Sequence, residues 1–436
     1  MNILILGSGG REHAFCRKVS QSALCTQLFI APGNAGTAQF GRNLPVSETD
    51  FNSIKKACVK HKIGLVIVGP EEPLVKGIYD FFKNDKQLSH ITITGPSAEG
   101  ARLEGSKAFA KAFMQRHEIP SAYHKEFDSE SYEEGLAYIR NHHLPVVLKA
   151  DGLAGGKGVL ICNNYIEAMG EYELIIQKSK FGDAGKTVIV EEFLDGIELS
   201  VFILTDGRDY LLLPEAKDYK KIGEGDKGLN TGGMGAISPV PFATEHFMEK
   251  VTEKIIKPTI KGLREEKIDY KGFIFFGLIK VGDEPMVIEY NCRMGDPETE
   301  VVLLRLKNDL VELLIAAGNQ KLFSEKINID KKAAATIVAV SKGYPLNYEK
   351  GFVIDFGYLN NPQVIKHLDE KGGAMVFHSA TKQEGKEIVT NGGRVLAVSG
   401  LADSLPEAIE LSKEILEQIH FEGMYYRTDI GYEFIE

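Results

Sequence analysis

Four short apolar runs, at 2–6, 27–31, 65–69 and 91–94, are separated by segments long enough to carry a helix each. A strand that reads as an unbroken apolar run needs cover on both faces, and intervening helices supply it. The first hundred residues therefore predict βαβ units gathered into a parallel sheet. That unit ends on the turn signal Thr94-Gly95-Pro96-Ser97. A chain of 436 residues is too long for one ordinary core, so two to four domains are expected.

Beyond this unit, a helix is expected from about 106 to 116, with Pro120 stopping it, and a strand at 145–150. The glycine-rich stretch Asp151–Gly158 comes next, then strands at 187–192 and 199–204. Residues 214–239 are polar and glycine-rich and read as irregular. So long an irregular stretch inside a compact protein is usually functional. A helix is expected over 245–266, a hairpin from 272–281 and 285–290, and a helix over 300–318. A third unit begins near Asp330, with strands at 333–340, 374–378 and 394–398 and a helix at about 404–420.

Hydrophobic content of 43% and charged content of 26% are those of a water-soluble globular protein. A formal charge of −10 argues against a general nucleic-acid surface but leaves room for a local positive pocket that takes phosphate. The five cysteines form no CxxC pair, which fits free thiols in a reducing compartment. The N-terminal apolar run lacks a basic region before it and reads as a first strand, not a signal peptide. No apolar stretch reaches bilayer length, so the expected location is the cytoplasm, with no membrane partner.

Chemistry concentrates in Glu289-x-Asn291-x-Arg293, at the end of an apolar run. On a strand this spacing puts all three side chains on one face. Glu289 and Asn291 offer hard oxygens suited to Mg²⁺ held against phosphate, and Arg293 offers a fork that matches a carboxylate. A wet sheet-edge strand is the competing reading. The loop Gly7-Ser8-Gly9-Gly10-Arg11-Glu12-His13 joins a strand to a helix and invites a phosphate. The third glycine of a dinucleotide fingerprint is replaced by Glu12, and the second strand lacks the terminal acid expected for a ribose. A phosphorylated sugar is thus favoured over NAD, with an empty tight turn as the alternative. His13 reads as a packed histidine. Lys149 and Lys157 bracket the second glycine-rich loop, which reads as a hairpin flap able to close over triphosphate oxygens. In Glu191–Glu198, backbone groups with Phe193 and Leu194 suit adenine, and a carboxylate such as Glu198 suits ribose hydroxyls.

This order of fixed-strand lysine, glycine-rich flap, Glu-Glu-Phe-Leu hinge and Glu-x-Asn strand resembles the ATP-grasp superfamily. Within it, the chain resembles the phosphoribosylamine–glycine ligases. The matching motifs run from Gly7–His13 and Ala31–Thr37 through Val68–Glu71, Leu103–Lys107 and Asn230–Gly235 to Arg293–Glu298 and Thr390–Val395. Lys217-Asp218-Tyr219-Lys220 stands where the family often has Gln-Asp-His-Lys. Leu229 and Met294 replace a usual Pro and Phe.

The resemblance implies an α/β protein in three parts. They are an N-terminal parallel-sheet, Rossmann-like (pre-ATP-grasp) domain at 1–103, a central ATP-grasp α+β domain at 104–325 with a flap subdomain at about 120–193, and a small C-terminal α/β domain at 326–436. It implies ATP as co-substrate, Mg²⁺ or Mn²⁺ as metal, and glycine and 5-phospho-β-D-ribosylamine as substrates. It also implies a monomer or weak dimer. Lys107, Lys149 and Lys157 would bind phosphates, and Glu191, Leu194 and Glu198 adenosine. Glu289 and Asn291 would hold the metal, Arg293 the glycine carboxylate and Asp218 the glycine ammonium. Gly9, Arg11, Asn34 and Glu71 would line the phosphoribosylamine site. Arg293, Lys149 and Lys157 are the catalytic set. Two alternatives stay open: another ATP-grasp ligase of purine intermediates, and a non-catalytic nucleotide-binding regulator.

Overall fold

The computed structural model describes residues 1–435 apart from 154–157, 179, 362, 363, 365–367 and 369–372. The first domain is built on the expected parallel sheet. β1 (Asn2–Gly7) lies between β2 (Gln27–Pro32) and β4 (Ile63–Val68), with β3 (Arg42–Asn43) beyond β2 and β5 (Thr92–Pro96) beyond β4. The apolar run of β1 is unbroken because both faces are covered: Leu4 and Leu6 enter one core, and Ile3 and Ile5 enter another.

An antiparallel four-stranded sheet follows, from β6 (His124–Asp128), β7 (Val146–Ala150), β8 (Val159–Cys162) and β9 (Thr187–Glu192), in the order β6-β9-β7-β8. β7 and β8 are the arms of the expected hairpin, with Lys149 opposite Val159. Residues 154–157 of the connecting loop, Lys157 included, lie outside the described residues.

The central sheet contains β10 (Ile197–Thr205) and β11 (Tyr210–Leu212). Residues 214–239, expected to be irregular, hold four short strands: β12 (Lys217–Asp218), β13 (Lys221–Gly223), β14 (Lys227–Asn230) and β15 (Gly235–Ser238). Strands of two to four residues are too short for an alternating pattern to stand out in sequence. β16 (Tyr270–Val281) and β17 (Glu284–Asn291) form the expected hairpin. The start of β16 pairs with β5 through Tyr270–Pro96 and Lys271–Gly95. The first sheet therefore continues into the central one, in the order β11-β10-β16-β5-β4-β1-β2-β3, with β17 on β16.

The third unit has β18 (Ala333–Val340), β19 (Ala374–His378), the hairpin β20 (Thr381–Glu384) and β21 (Glu387–Thr390), and β22 (Arg394–Ala402), backed by the helix Leu405–Leu416. Its sheet runs β12-β15-β18-β22-β19, so the stretch around 217–238 is woven into the third unit.

Two helices differ from expectation. The 245–266 helix contains one wide turn at Thr252–Ile256, directly before Pro258, whose missing N–H breaks the regular ladder. The 300–318 helix is two helices, Thr299–Arg305 and Leu310–Gly318, because the Asp309 carboxylate caps a fresh start at Val311 N (2.9 Å). Among the described residues, no helix is long and apolar enough to cross a membrane.

Candidate active site

Lys149 on β7 lies 2.8 Å from Glu191 Oε2 on β9 and donates to Ile288 O of β17 at 3.3 Å. One lysine thus joins the flap sheet to the strand expected to hold metal. Lys107, in the first turn of Lys107–Arg116, donates to Ala150 O (3.0 Å) and Gly152 O (2.9 Å). Burial lowers its pKa, and Glu289 and Asp151 oppose the fall. Sequence reasoning missed Lys111, one turn further on. It is buried and sits 3.2 Å from Glu191 Oε1. Its i,i+4 spacing from Lys107 was the signal that it shares that helix face.

A second group gathers Glu198, Asp218 and Glu289 around Lys220, whose ammonium is 2.5 Å from Glu198 Oε2. Burial opposes the charge on Lys220, but Asp218, Glu198 and Glu289 outweigh it and hold its pKa well above the usual lysine value. Burial pushes the Asp218 carboxyl up; Glu198 and Glu289 add to this, and Lys220 opposes it. Glu198 thus sits in the Lys220 cluster, while Leu194 is half-buried just past the end of β9. Lys217 and Tyr219 alternate with these residues and turn the other way, toward Glu433: Lys217 Nζ lies 2.8 Å from its Oε1 and Tyr219 donates to Oε2 at 2.8 Å. The two departures from the family pattern therefore fall on the strand face turned away from this cluster.

Asn291 keeps a buried amide nitrogen with no hydrogen-bond partner. A buried amide with one polar atom unspent suits a site that receives a ligand, and turned over it presents an oxygen. Among the described residues, no group of three His, Cys, Asp or Glu side chains could hold a metal by itself. A cation at Glu289 and Asn291 must therefore take further oxygens from phosphate or water, the usual habit of Mg²⁺. The residues fit such an ion.

Arg293 is held from two sides. Its Nε lies 3.2 Å from Glu71 Oε2 and its Nη2 2.8 Å from Glu104 Oε1, while Nη1 donates to Met294 O at 3.3 Å. These contacts use three of its five N–H donors. Burial works against the Glu71 carboxylate, but Arg293 and then Arg11 hold its pKa below the usual range. Glu104, which also accepts from Cys292 N at 2.7 Å, is pushed up to about 7 by burial, with Arg293 opposing and Glu71 adding. Glu298, also buried, accepts from Ser200 Oγ at 3.1 Å. A side chain on Gly295 would meet its carboxylate at 2.3 Å, which explains the glycine in that turn.

At the first loop, the Glu12 carboxylate accepts from Gly9 N and from Arg11 Nε, both at 2.6 Å. A Cβ on Gly7 (φ +119°) or Gly69 would strike this carboxylate, at 2.6 and 2.0 Å. The residue replacing the third glycine of a dinucleotide fingerprint therefore fills the loop itself. Arg11 also donates to Met294 O (3.2 Å), and its backbone N–H donates to Asp296 Oδ2 (3.2 Å). Asn34 is spent on the frame: its amide nitrogen donates to Ser8 O, His378 O and Ser379 O, and its Oδ1 accepts from Gly36 N and Thr37 N. His13 is a packed histidine, accepting from His378 N at 2.7 Å.

Gly9 and Asn34 line a cleft of about 370 Å³, whose other walls include Asp296, Tyr344, Thr381 and Asn391–Arg394. Arg394 Nη1 donates to Gly232 O (2.7 Å) and Asp296 O (2.6 Å), and Tyr344 OH accepts from Gly232 N (2.9 Å). The third unit thus clasps the Asn230–Gly235 loop and forms part of the cleft. The Thr390–Val395 motif marked the place in sequence, but without a partner no role could be read from it.

Three family models match the chain: phosphoribosylglycinamide synthetase N domain over residues 1–104, its ATP-grasp (A) domain over 105–299 and its C domain over 334–433. A phosphoribosylamine–glycine ligase of Yersinia pestis is 43% identical over 439 residues, covering 100% of this chain and 99% of that protein. A crystal structure of phosphoribosylamine–glycine ligase from Thermotoga maritima has a TM-score of 0.83 at 32% identity, over 98% of this chain and 100% of that one. The biotin carboxylase domain of Hydrogenobacter thermophilus 2-oxoglutarate carboxylase, solved with MgADP and bicarbonate, shares the fold at a TM-score of 0.72 and 17% identity, over 98% of this chain and 92% of that one.

Proposed function

The chain belongs to the phosphoribosylglycinamide synthetase family, and on that premise we propose how its residues divide the work. It is an ATP-dependent carboxylate–amine ligase that joins glycine to 5-phospho-β-D-ribosylamine in purine biosynthesis. The observation that carries the residue-level reading is the Arg293–Glu71 contact, because the two substrates must meet for an amide to form.

A carboxylate oxygen of glycine attacks the γ-phosphorus of ATP, the bond to the β,γ-bridging oxygen breaks, and ADP leaves. The amine of phosphoribosylamine then attacks the acyl carbon, the carbon–oxygen bond to phosphate breaks, and the new amide sheds a proton. Such chemistry needs charge neutralisation and positioning more than a protein nucleophile. Lys107, Lys149 and Lys157 neutralise phosphate oxygens. Glu191, Leu194 and Glu198 hold adenosine. The two remaining N–H groups of Arg293 take the glycine carboxylate, and Asp218 takes its ammonium. Gly9, Arg11, Asn34 and Glu71 surround the phosphosugar. Mg²⁺ or Mn²⁺ held by Glu289 and Asn291 would add positive charge at the phosphate oxygens when bound.

The test is ADP release with ATP, glycine and freshly made phosphoribosylamine, each omitted in turn. Full turnover only with all three supports the assignment; equal rates without the amine contradict it. Five free thiols accord with a cytoplasmic location. A monomer or weak dimer is the proposed state, which sedimentation velocity reads directly.

A further inference from the structure

Three buried charges meet on the flap side of the site: Lys111, Glu191 and Lys149, respectively 2%, 2% and 6% exposed. Glu191 is shared, with Lys149 at 2.8 Å from Oε2 and Lys111 at 3.2 Å from Oε1. The Lys149 contact is the closer. The Lys111 contact is an ion pair without a well-aimed hydrogen bond, so Oε1 keeps acceptor capacity in reserve. Lys111 is fixed from behind by Ala122 O at 3.2 Å. It sits on a helix, whereas Lys149 bridges to another sheet through Ile288 O.

If Lys149 engages phosphate, it must loosen its hold on Glu191. A buried carboxylate left alone is costly, and it either resists the move or takes up a proton. A second cation that stays removes that penalty. We propose that Lys111 is a positioning residue that holds the Glu191 carboxylate while Lys149 turns to the phosphates of ATP. This rests on the reading of Lys149 as a phosphate ligand. The two lysines then differ in role. Lys149 moves between carboxylate and phosphate, and Lys111 is the fixed counter-charge that makes the exchange nearly neutral for Glu191. The net charge of the trio is one positive unit, which phosphate oxygens can meet.

The experiment is a double-mutant cycle read by calorimetry with Mg²⁺ and adenylyl imidodiphosphate, on wild type, Lys111→Met, Glu191→Gln and the double variant. Lys111→Met should weaken binding by about fivefold or more, and in the Glu191→Gln background it should change binding less than about twofold. A merely structural lysine would weaken binding to the same extent in both backgrounds. Equal weakening in both backgrounds overturns the role of Lys111. No nucleotide binding by wild type would instead overturn the ATP-site reading and take this proposal with it. Should Lys111→Met not fold, Lys111→Arg serves in its place: affinity near wild type supports a charge role, and a fivefold loss opposes it.

Discussion

Arg293 Nε lies 3.2 Å from Glu71 Oε2, although 222 residues separate them in the chain. β17, the strand of Glu289 and Asn291, stops at Asn291, so Arg293 lies two residues past its end and not on the strand face expected from the spacing; Glu71 opens the short helix after β4. Their contact sets the glycine carboxylate and the phosphosugar side by side in the proposed reaction. A guanidinium can serve two carboxylates and still present a fork, and an ammonium cannot. Arg293→Lys should therefore lower kcat/KM for glycine by about 10²-fold or more, with affinity for an ATP analogue little changed. Steady-state kinetics with varied glycine, beside calorimetry of the analogue, separates the two. Wild-type-like glycine kinetics would remove Arg293 from the site.

Glu289→Gln keeps size and one oxygen but loses the charge a hard cation needs. Turnover at limiting Mg²⁺ should fall by about 10²-fold, with partial recovery at high Mg²⁺. Activity measured across a Mg²⁺ series checks this, and an unchanged Mg²⁺ requirement would contradict the metal assignment.

The sequence carried the elements well where strands were long and apolar. The parallel sheet of the first domain, the β7–β8 hairpin arms and the β16–β17 hairpin could all be read from their runs of Val, Ile, Leu and Phe. Less visible was what depends on pairing across the chain. The β5–β16 pairing that joins two sheets rests on Tyr270–Pro96 and Lys271–Gly95, and no local pattern marks it. The same holds for the site. Glu289, Asn291 and Arg293 announce themselves by spacing, whereas Glu104, Lys111 and Arg394 matter only through partners far along the chain. Asn34, legible as a loop residue, spends its amide on the frame, which only three-dimensional contacts reveal.

Glu104 links the site to pH. Burial raises its pKa to about 7, with Arg293 opposing. Between about 4.3, the ordinary glutamate value, and 7, the folded state binds more protons than the unfolded chain, so this residue's contribution to stability falls as pH rises through that window. Glu104→Gln is neutral throughout. The melting temperature of wild type relative to Glu104→Gln should therefore drop between pH 5 and pH 8, which scanning calorimetry measures. A gap that widens in favour of wild type with rising pH would refute the assignment.

Lys217 provides a control for the family departure. It is buried against Glu433 at 2.8 Å and lies over the Tyr219 ring at 3.9 Å, on the strand face opposite Asp218 and Lys220. Lys217→Met should leave KM for glycine and ATP unchanged and lower the melting temperature by roughly 2–5 °C. A large KM change with no loss of stability would bring Lys217 into the site.

Arg394 should govern how tightly the two half-reactions are coupled. From the third unit it binds Gly232 O at 2.7 Å and Asp296 O at 2.6 Å, and it lies 3.1 Å from Asp296 Oδ1. It thereby ties the Asn230–Gly235 loop to the turn after β17. The loop packs closely there: a side chain on Gly233 would meet Pro297 at 2.4 Å. An acyl phosphate survives only where water is kept out, and a loop held at both ends excludes water better than one held at one end. Arg394→Met removes the tie while leaving Lys107, Lys149, Glu289 and Arg293 in place. Glycine-dependent ADP release should then persist within about tenfold of wild type, while the yield of glycinamide ribonucleotide per ADP falls well below unity. Measuring ADP and amide product in the same reaction gives the ratio directly. A ratio held at unity would show that Arg394 does not guard the intermediate. A loss of ADP release matching the loss of product would place it in phosphoryl transfer instead.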